Sequence, residues 1–321
     1  MDDETWNRTL TRRAMLRVAG VASLAVVAAA CTGGKNDGPT TPPATAGSIA
    51  ELRQGAKELS LLTGLGGSKD DAIQTGKSIY IFDLSTDQQT LLQEGTPLIY
   101  IAKSEQAKPL GPFPATWTLF TGYEETGDKS PQSPIPGIYW GEIEIPSAGT
   151  WTIAAVAKDG NEPAIGVGHA VVLDQPVAAV GSQAISARTP VGTTPAAIAK
   201  MCTRDPVDDM HSISLDVALT NGKPTVVSFA TPKFCASRLC GPVVDEQMLV
   251  FQKVGKDKAN FIHVEEFPSQ DVSKPAPAFL KWGFQNEPWV IVIDGGGTIR
   301  ARFLGPAVAP MIEQALDPLL S

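Results

Sequence analysis

Four cysteines occur in a chain of 321 residues, and Cys235 and Cys240 stand five apart in the string C-A-S-R-L-C. A pair of thiols can make and break disulfides, and the thiolate is the attacking species. The run Thr225–Phe229 before them is apolar and β-rich. The segment from Pro242 to about Lys256 reads as a helix, with Pro at its first position and Val244, Met248, Phe251 and Val254 on one face. The pair therefore lies between a strand end and a helix start. A helix N-terminus presents free N–H groups and the positive end of the macrodipole, both of which favour a thiolate. Lys233 and Arg238 add positive charge, whereas Asp245 and Glu246 in the expected first turn oppose it. Residues five apart on a helix are separated by about 8.6 Å, beyond the roughly 7 Å that a disulfide spans. A Cys235–Cys240 bridge thus requires Cys235 to sit in the loop. Cys202, in the string M-C-T-R-D-P-V, leads into the same region and is a candidate resolving or third thiol.

The remaining residues carry weaker chemical signals. His169 falls in a strand-rich region, His211 in a loop and His263 inside a strand. His263 is expected to pack or hydrogen-bond within its sheet. His211, nearest Cys202 in sequence, is the better ligand candidate, yet no metal set is assigned. Glu265 shares a strand face with His263 and is expected at a solvated strand end or, in the sharper reading, as a buried proton acceptor near the thiols. Trp282 and Trp289 read as core or rim aromatics. No cofactor motif appears. With Lys+Arg 26 against Asp+Glu 34, the net charge is −8, and an acidic chain without a long basic run argues against a nucleic-acid partner.

These residues must be positioned by the elements around them. Hydrophobic residues make up 43% of the chain and charged residues 19%, an ordinary globular balance, and the length suits about two domains. Residues 1–31 read as an export signal: Arg12, Arg13 and Arg17 precede a short apolar run, Val18–Ala30, ending at Cys31. At about 20 Å that run is too short to span a bilayer. Its loss would leave a mature charge of −9, since the segment carries four Arg against Asp2, Asp3 and Glu4. Residues 32–75 form a Gly/Pro/Thr-rich tether and a short helical segment between Ser48 and Leu65. Residues 76–176 hold short β-rich runs between turns and predict an antiparallel β-sandwich. Residues 177–198, apolar only in small side chains, read as a linker. Residues 199–321 alternate helices and strands in the order βαβαββα, an α/β domain.

Several strings resemble known families. T-R-R-A-M-L-R, Thr11–Arg17, resembles a twin-arginine export signal, and A-A-A-C ending at Cys31 resembles a bacterial lipobox, which implies lipidation of Cys31. Gly137–Ala157 is similar to the closing strands of immunoglobulin-like domains. The segments G-K-P-T-V-V-S-F-A-T-P, C-G-P-V-V-D-E, F-I-H-V-E and E-P-W-V-I-V-I-D resemble the thioredoxin-like domain of actinobacterial exported lipoproteins, of the TlpA and Sco kind. The resemblance covers about 120 residues. It implies that Pro288 is the cis-proline facing the cysteines, although Glu287 stands where Thr or Val is usual. C-G-P at Cys240 matches the thioredoxin C-G-P-C with Val243 at the second cysteine. The attacking thiol is left open between Cys240, on that match, and Cys235, on its loop position. The resemblance implies a membrane-anchored thiol–disulfide oxidoreductase on the outer face of the cytoplasmic membrane, acting on exported protein thiols and disulfides, with a membrane redox partner. The competing readings are a non-catalytic binding lipoprotein with a structural disulfide, and copper handling of the Sco type.

The address yields a direct expectation. Replacing Arg12 and Arg13 by Lys blocks export, and Cys31→Ala releases the protein from membranes. Cell fractionation and incorporation of labelled lipid check this, and a wild-type chain that never takes up lipid removes the anchor.

Overall fold

The computed structural model describes residues 46–63, 72–86, 90–93, 95–123, 135–235 and 239–320. The expectations for Arg12, Arg13, Arg17 and Cys31, for most of the tether and for Arg238 lie outside them.

The first part of the chain runs α1 (Ile49–Arg53), β1 (Lys57–Leu62), β2 (Ile73–Gln74), β3 (Gly76–Ser85), β4 (Leu98–Ala102), β5 (Leu110–Pro114), β6 (Thr116–Leu119), β7 (Gly137–Ile145), β8 (Gly149–Asp159) and β9 (Glu162–Leu173). The helix expected over Ser48–Leu65 is corrected. Ser48 caps it as read, its hydroxyl accepting from the Glu51 N–H, but it ends at Arg53. Gly55 then takes a left-handed φ of 74°, and K-E-L-S-L-L extends into β1.

The strands join in the order β5-β4-β8-β9-β1-β3-β7-β6, with β2 on β9. Strand β1 changes partners midway: Lys57–Leu59 pair with β9, and Ser60–Leu62 pair with β3. Side chains of β3 and β7 on one side and of β4, β8 and β9 on the other meet in one core, around Tyr80, Phe82, Ile99, Tyr139 and Trp151. In β7 this forces alternation, with Glu142 and Glu144 outward and Ile143 and Ile145 buried. Gly141 has no room for a side chain, since a Cβ there would lie 2.4 Å from the Pro114 carbonyl oxygen. The sheet is not purely antiparallel as expected, because β1 and β2 run parallel to β9. No short hairpin ties these early segments to the last strand, so nothing local dictates their direction.

The second part comprises α2 (Pro195–Ile198), α3 (Leu215–Ala218), β10 (Thr225–Phe229), α4 (Cys240–Val254), β11 (Asn260–Val264), α5 (Pro277–Trp282), β12 (Trp289–Ile293), β13 (Ile299–Leu304) and α6 (Ala309–Leu316). From β10 onward the order is βαβαββα, as read. The sheet order is β11-β10-β12-β13, with β10 and β11 parallel and the other pairs antiparallel. All residues of β10, β11 and β12 are buried, which explains the uninterrupted apolar run of β12 and the largely apolar β10 and β11. One face packs on α4 and α6, and the other on an aromatic cluster of Phe229, Phe279, Trp282, Phe284 and Trp289. Both tryptophans are core residues.

Residues 177–198 carry little regular structure but lie against this second sheet. Ile299 donates to the Ser182 carbonyl, Ala184 donates to the Gly297 carbonyl, and Ala187 is buried in the aromatic face. The two sheets also share a core, since Phe120 and Ile138 join the cluster beneath α4. A buried carboxylate fastens this junction. Glu246 of α4 accepts from the Thr121 N–H at 2.6 Å and from the Ala309 N–H, at the start of α6, at 2.7 Å. Hydrogen bonds to a charged group contribute more than neutral ones, and losing the acceptor strands two backbone donors. Glu246→Ala is therefore expected to cost about 2–4 kcal/mol. Urea titration checks this; a variant within about 0.5 kcal/mol of the parent would show that the carboxylate does not hold the junction.

Candidate functional site

Helix α4 begins two residues earlier than its sequence predicts, at Cys240, so Pro242 is its third residue. The first intrahelical bond runs from the Val243 N–H to the Leu239 carbonyl at 2.9 Å. Proline at the third position thus lacks a donor that would have had no partner in the helix anyway. Cys240 is the first helical residue, fully buried, and Cys235 lies half-buried in the loop after β10, where its N–H donates to the Thr231 carbonyl. The two form a disulfide with Cα atoms 6.1 Å apart. Cys235 lies off the helix, as the five-residue spacing requires of a bridged pair.

The early helix start corrects the expected electrostatics. Asp245 and Glu246 are not in the first turn. Asp245 pairs with the Arg204 guanidinium at 2.7 Å, and Glu246 is turned toward Thr121 and Ala309. Lys233 remains exposed in the loop. The Glu287–Pro288 bond is cis, and the Pro288 carbonyl accepts from the Gly305 N–H.

The acid beside the pair is Glu266. Its Oε1 lies 3.7 Å from the Cys240 sulfur, and its Oε2 is buried with no hydrogen-bond partner among the described residues. Burial is the main cause that pushes its carboxyl up to about 8; Glu287 and Glu265 push the same way, against its own backbone N–H and His263. Glu265, the acid singled out in the sequence, instead accepts from the Thr203 N–H at 2.5 Å and from its hydroxyl at 2.9 Å. Strand β11 ends at Val264. Period-two alternation therefore assigns no face to residues 265 and 266, and the sequence carried no other signal for Glu266.

A second polar cluster lies along the outer edge of β11. The His263 N–H donates to the Met210 carbonyl, which lays the loop from Cys202 to His211 against that edge. Cys202, Asp208, His211 and His263 are all buried. The Cys202 thiol donates to Asp208 Oδ2 at 3.2 Å, and His263 Nδ1 is 2.8 Å from the same oxygen. His263 Nε2 lies 2.8 Å from the Ala230 carbonyl, and His211 Nε2 lies 3.4 Å from Asp208 Oδ1 without hydrogen-bond geometry. Burial alone would lower both imidazoles, but Asp208 outweighs it, through its hydrogen bond to His263 and through its negative charge beside His211, holding His263 well above its ordinary value and raising His211. Burial would likewise raise Asp208, yet the two histidines hold it below the usual carboxylate range. Burial would raise the Cys202 thiol, but His211 and His263 bring it down. Cys202 is a free cysteine. His169 stands apart, exposed on β9 with Nδ1 3.4 Å from the Thr152 hydroxyl.

Comparison with known proteins is sparse. No family model matches the chain, and no curated protein matches it. A solved structure, a thiol:disulfide interchange protein of the thioredoxin family from Chlorobium tepidum TLS, aligns at 17% identity. The alignment covers 44% of this chain and 100% of that one, with a TM-score of 0.28.

Glu266 should leave a signature in stability. Folded, its carboxyl keeps a proton up to about pH 8, against an ordinary value of 4.5. Between those values the folded chain holds one more proton than the unfolded chain. Its contribution is therefore full below about pH 4.5 and declines as pH rises toward 8, by at most about 1.4 kcal/mol per pH unit. Glu266→Gln removes this slope. Urea titrations of parent and variant at pH 5 and pH 8 check it, and identical pH dependence in the two would sink the assignment.

Proposed function

We propose that this chain is an exported, lipid-anchored thiol–disulfide oxidoreductase of the thioredoxin-like kind, acting on protein thiols and disulfides outside the cytoplasm. The observation that carries the reading is the Cys235–Cys240 disulfide at the β10–α4 corner, with one sulfur at the helix N-terminus and the other in the loop. The strand order β11-β10-β12-β13 and the cis bond before Pro288 agree with that reading. So does the position of Glu266.

The greater exposure of Cys235 supports it as the sulfur attacked first. A substrate thiolate attacks the half-buried Cys235 sulfur, a mixed disulfide forms, and Cys240 leaves as a thiolate. The free N–H groups at the start of α4 stabilise that thiolate, and Glu266, protonated near neutral pH, hands it a proton. A second substrate thiolate then attacks the substrate sulfur of the mixed disulfide and Cys235 leaves. The protein disulfide is reduced to two thiols and the substrate dithiol is oxidised to a disulfide. In reverse, Glu266 takes the Cys240 proton so that Cys240 can resolve the mixed disulfide.

The β-rich part is read as an immunoglobulin-like spacer or binding module. Support comes from the runs β5-β4-β8-β9 and β3-β7-β6, joined by a first strand that pairs with both. The anchor at Cys31 and the twin-arginine signal rest on sequence alone.

Insulin reduction and dithiol-peptide oxidation test the activity. The oxidised chain should be active in at least one, and Cys235→Ser and Cys240→Ser should each lose at least about 100-fold, as expected when two groups act as a unit. Cys240→Ser should accumulate mixed disulfides through Cys235. Trapping by Cys235→Ser instead would reverse the order of attack. A wild-type chain inert in both assays would make the bridge a structural disulfide in a binding protein.

A further inference from the structure

We propose that Cys202, Asp208, His211 and His263 form a second site, a closed four-ligand centre for one zinc ion. Each residue supplies one donor atom, and the four donor atoms all lie within 4.8 Å of one another. One sulfur, two imidazole nitrogens and one carboxylate oxygen make a zinc-type donor set, whereas magnesium and calcium take oxygen ligands. Bonds of about 2.0–2.3 Å in a tetrahedron need donor separations of roughly 3.3–3.7 Å, so the widest separations must contract by at most about 1.5 Å and the 2.8 Å His263–Asp208 contact must lengthen by about 0.5 Å. All four residues are buried, and the protein fills every coordination position, as in structural rather than catalytic zinc sites.

Two features of the cluster point to a ligand. The Ala230 carbonyl only accepts, so His263 Nε2 carries a proton and Nδ1 is the nitrogen turned toward Asp208. That is the arrangement of a metal-ligating histidine, whose far N–H is held by a backbone carbonyl while the near nitrogen faces the metal. His211 Nε2, on a side chain 2% exposed, has no hydrogen-bond partner among the described residues although it faces the same carboxylate. An unsatisfied buried nitrogen is costly, and coordination would satisfy it.

The balance of the binding step is simple. The Cys202 S–H proton, the His263 Nδ1 proton and any proton on the ligating nitrogen of His211 pass to solvent. The two positive charges of zinc then face a thiolate, a carboxylate and two neutral imidazoles, and the buried centre is neutral overall. Coordination would pin the loop from Cys202 to His211 onto the edge of β11. It would also withhold the free cysteine from exchange with the Cys235–Cys240 pair.

The test uses the purified full-length chain with Cys235–Cys240 oxidised, stripped by a chelator and reloaded with zinc or cobalt. One zinc per chain should survive gel filtration, and the thermal midpoint should rise on reloading. Cobalt should give a thiolate-to-metal charge-transfer band, read on the parent and so independent of any variant's folding. Cys202→Ser should lose that band, and His211→Ala should lose retained zinc. A variant with Cys235→Ser and Cys240→Ser together should keep one zinc, which separates this site from the redox pair whether or not the redox reading stands. The proposal is overturned if the parent retains no zinc, if the double variant loses it, if cobalt shows no thiolate band, or if copper binds and zinc does not.

Discussion

Water is kept from the second sheet on both faces, so every polar group placed there must find its partner inside the protein. Buried acids around α4 and β11 meet this constraint in different ways. Glu246 stays satisfied by two backbone N–H donors from separate elements. Asp208 is surrounded by two imidazoles, a thiol and the Met210 N–H. For Glu266 burial outweighs the help of its own backbone N–H and of His263, and the carboxyl is kept protonated instead, pushed up to about 8. The first solution is architectural, since it fixes where α4 lies against β6–β7 and α6. The other two leave reactive groups in dry surroundings, where proton and metal affinities are set by the protein rather than by solvent.

The disulfide corner depends on that fixing. Helix α4 brings Cys240 to its own N-terminus and to Glu266, while the loop leaves Cys235 the more accessible sulfur of the bridge. The Glu266 carboxyl lies 3.7 Å from the Cys240 sulfur, and the two sulfurs differ in burial, which makes the two ends of the disulfide chemically unequal. The asymmetry arises from burial as much as from the helix terminus, because the acidic side chains expected to oppose a thiolate are engaged elsewhere, Asp245 with Arg204 and Glu246 across the junction.

The two sheets are coupled more closely than the composition of the connecting segment implies. Residues 177–198 lack large apolar side chains, yet their backbone bonds to the turn and first residue of β13, and small residues such as Ala187 fill the aromatic face. Small side chains let a chain lie close to a sheet, so a poor hydrophobic pattern does not by itself mean a loose segment. With Phe120 and Ile138 in the cluster beneath α4, the β-rich part helps to cover the helix that carries Cys240.

Much of this was legible in the residues themselves. Alternation and apolar runs placed β7 and β10 at their observed bounds and β12 to within a residue, and the βαβαββα order followed, because period-two and uninterrupted apolar patterns report burial directly. Helix geometry alone required Cys235 to leave the helix if it bridged Cys240, and the bridge is there. The helical reading of Lys57–Leu62 failed because a local turn at Gly55 and non-local pairing with two strands outweighed a weak helical spacing. From the sequence Glu265 is expected at a solvated strand end or, in the sharper reading, beside the thiols; it is instead buried against Thr203, and Glu266 lies beside Cys240, since β11 ends just before both and side-chain direction beyond a strand end is set by tertiary packing. The union of Cys202, Asp208 and His211 with His263 was likewise invisible as a unit. A loop laid along a sheet edge brings together residues more than 50 positions apart, and only the folded chain decides that such groups share one dry space.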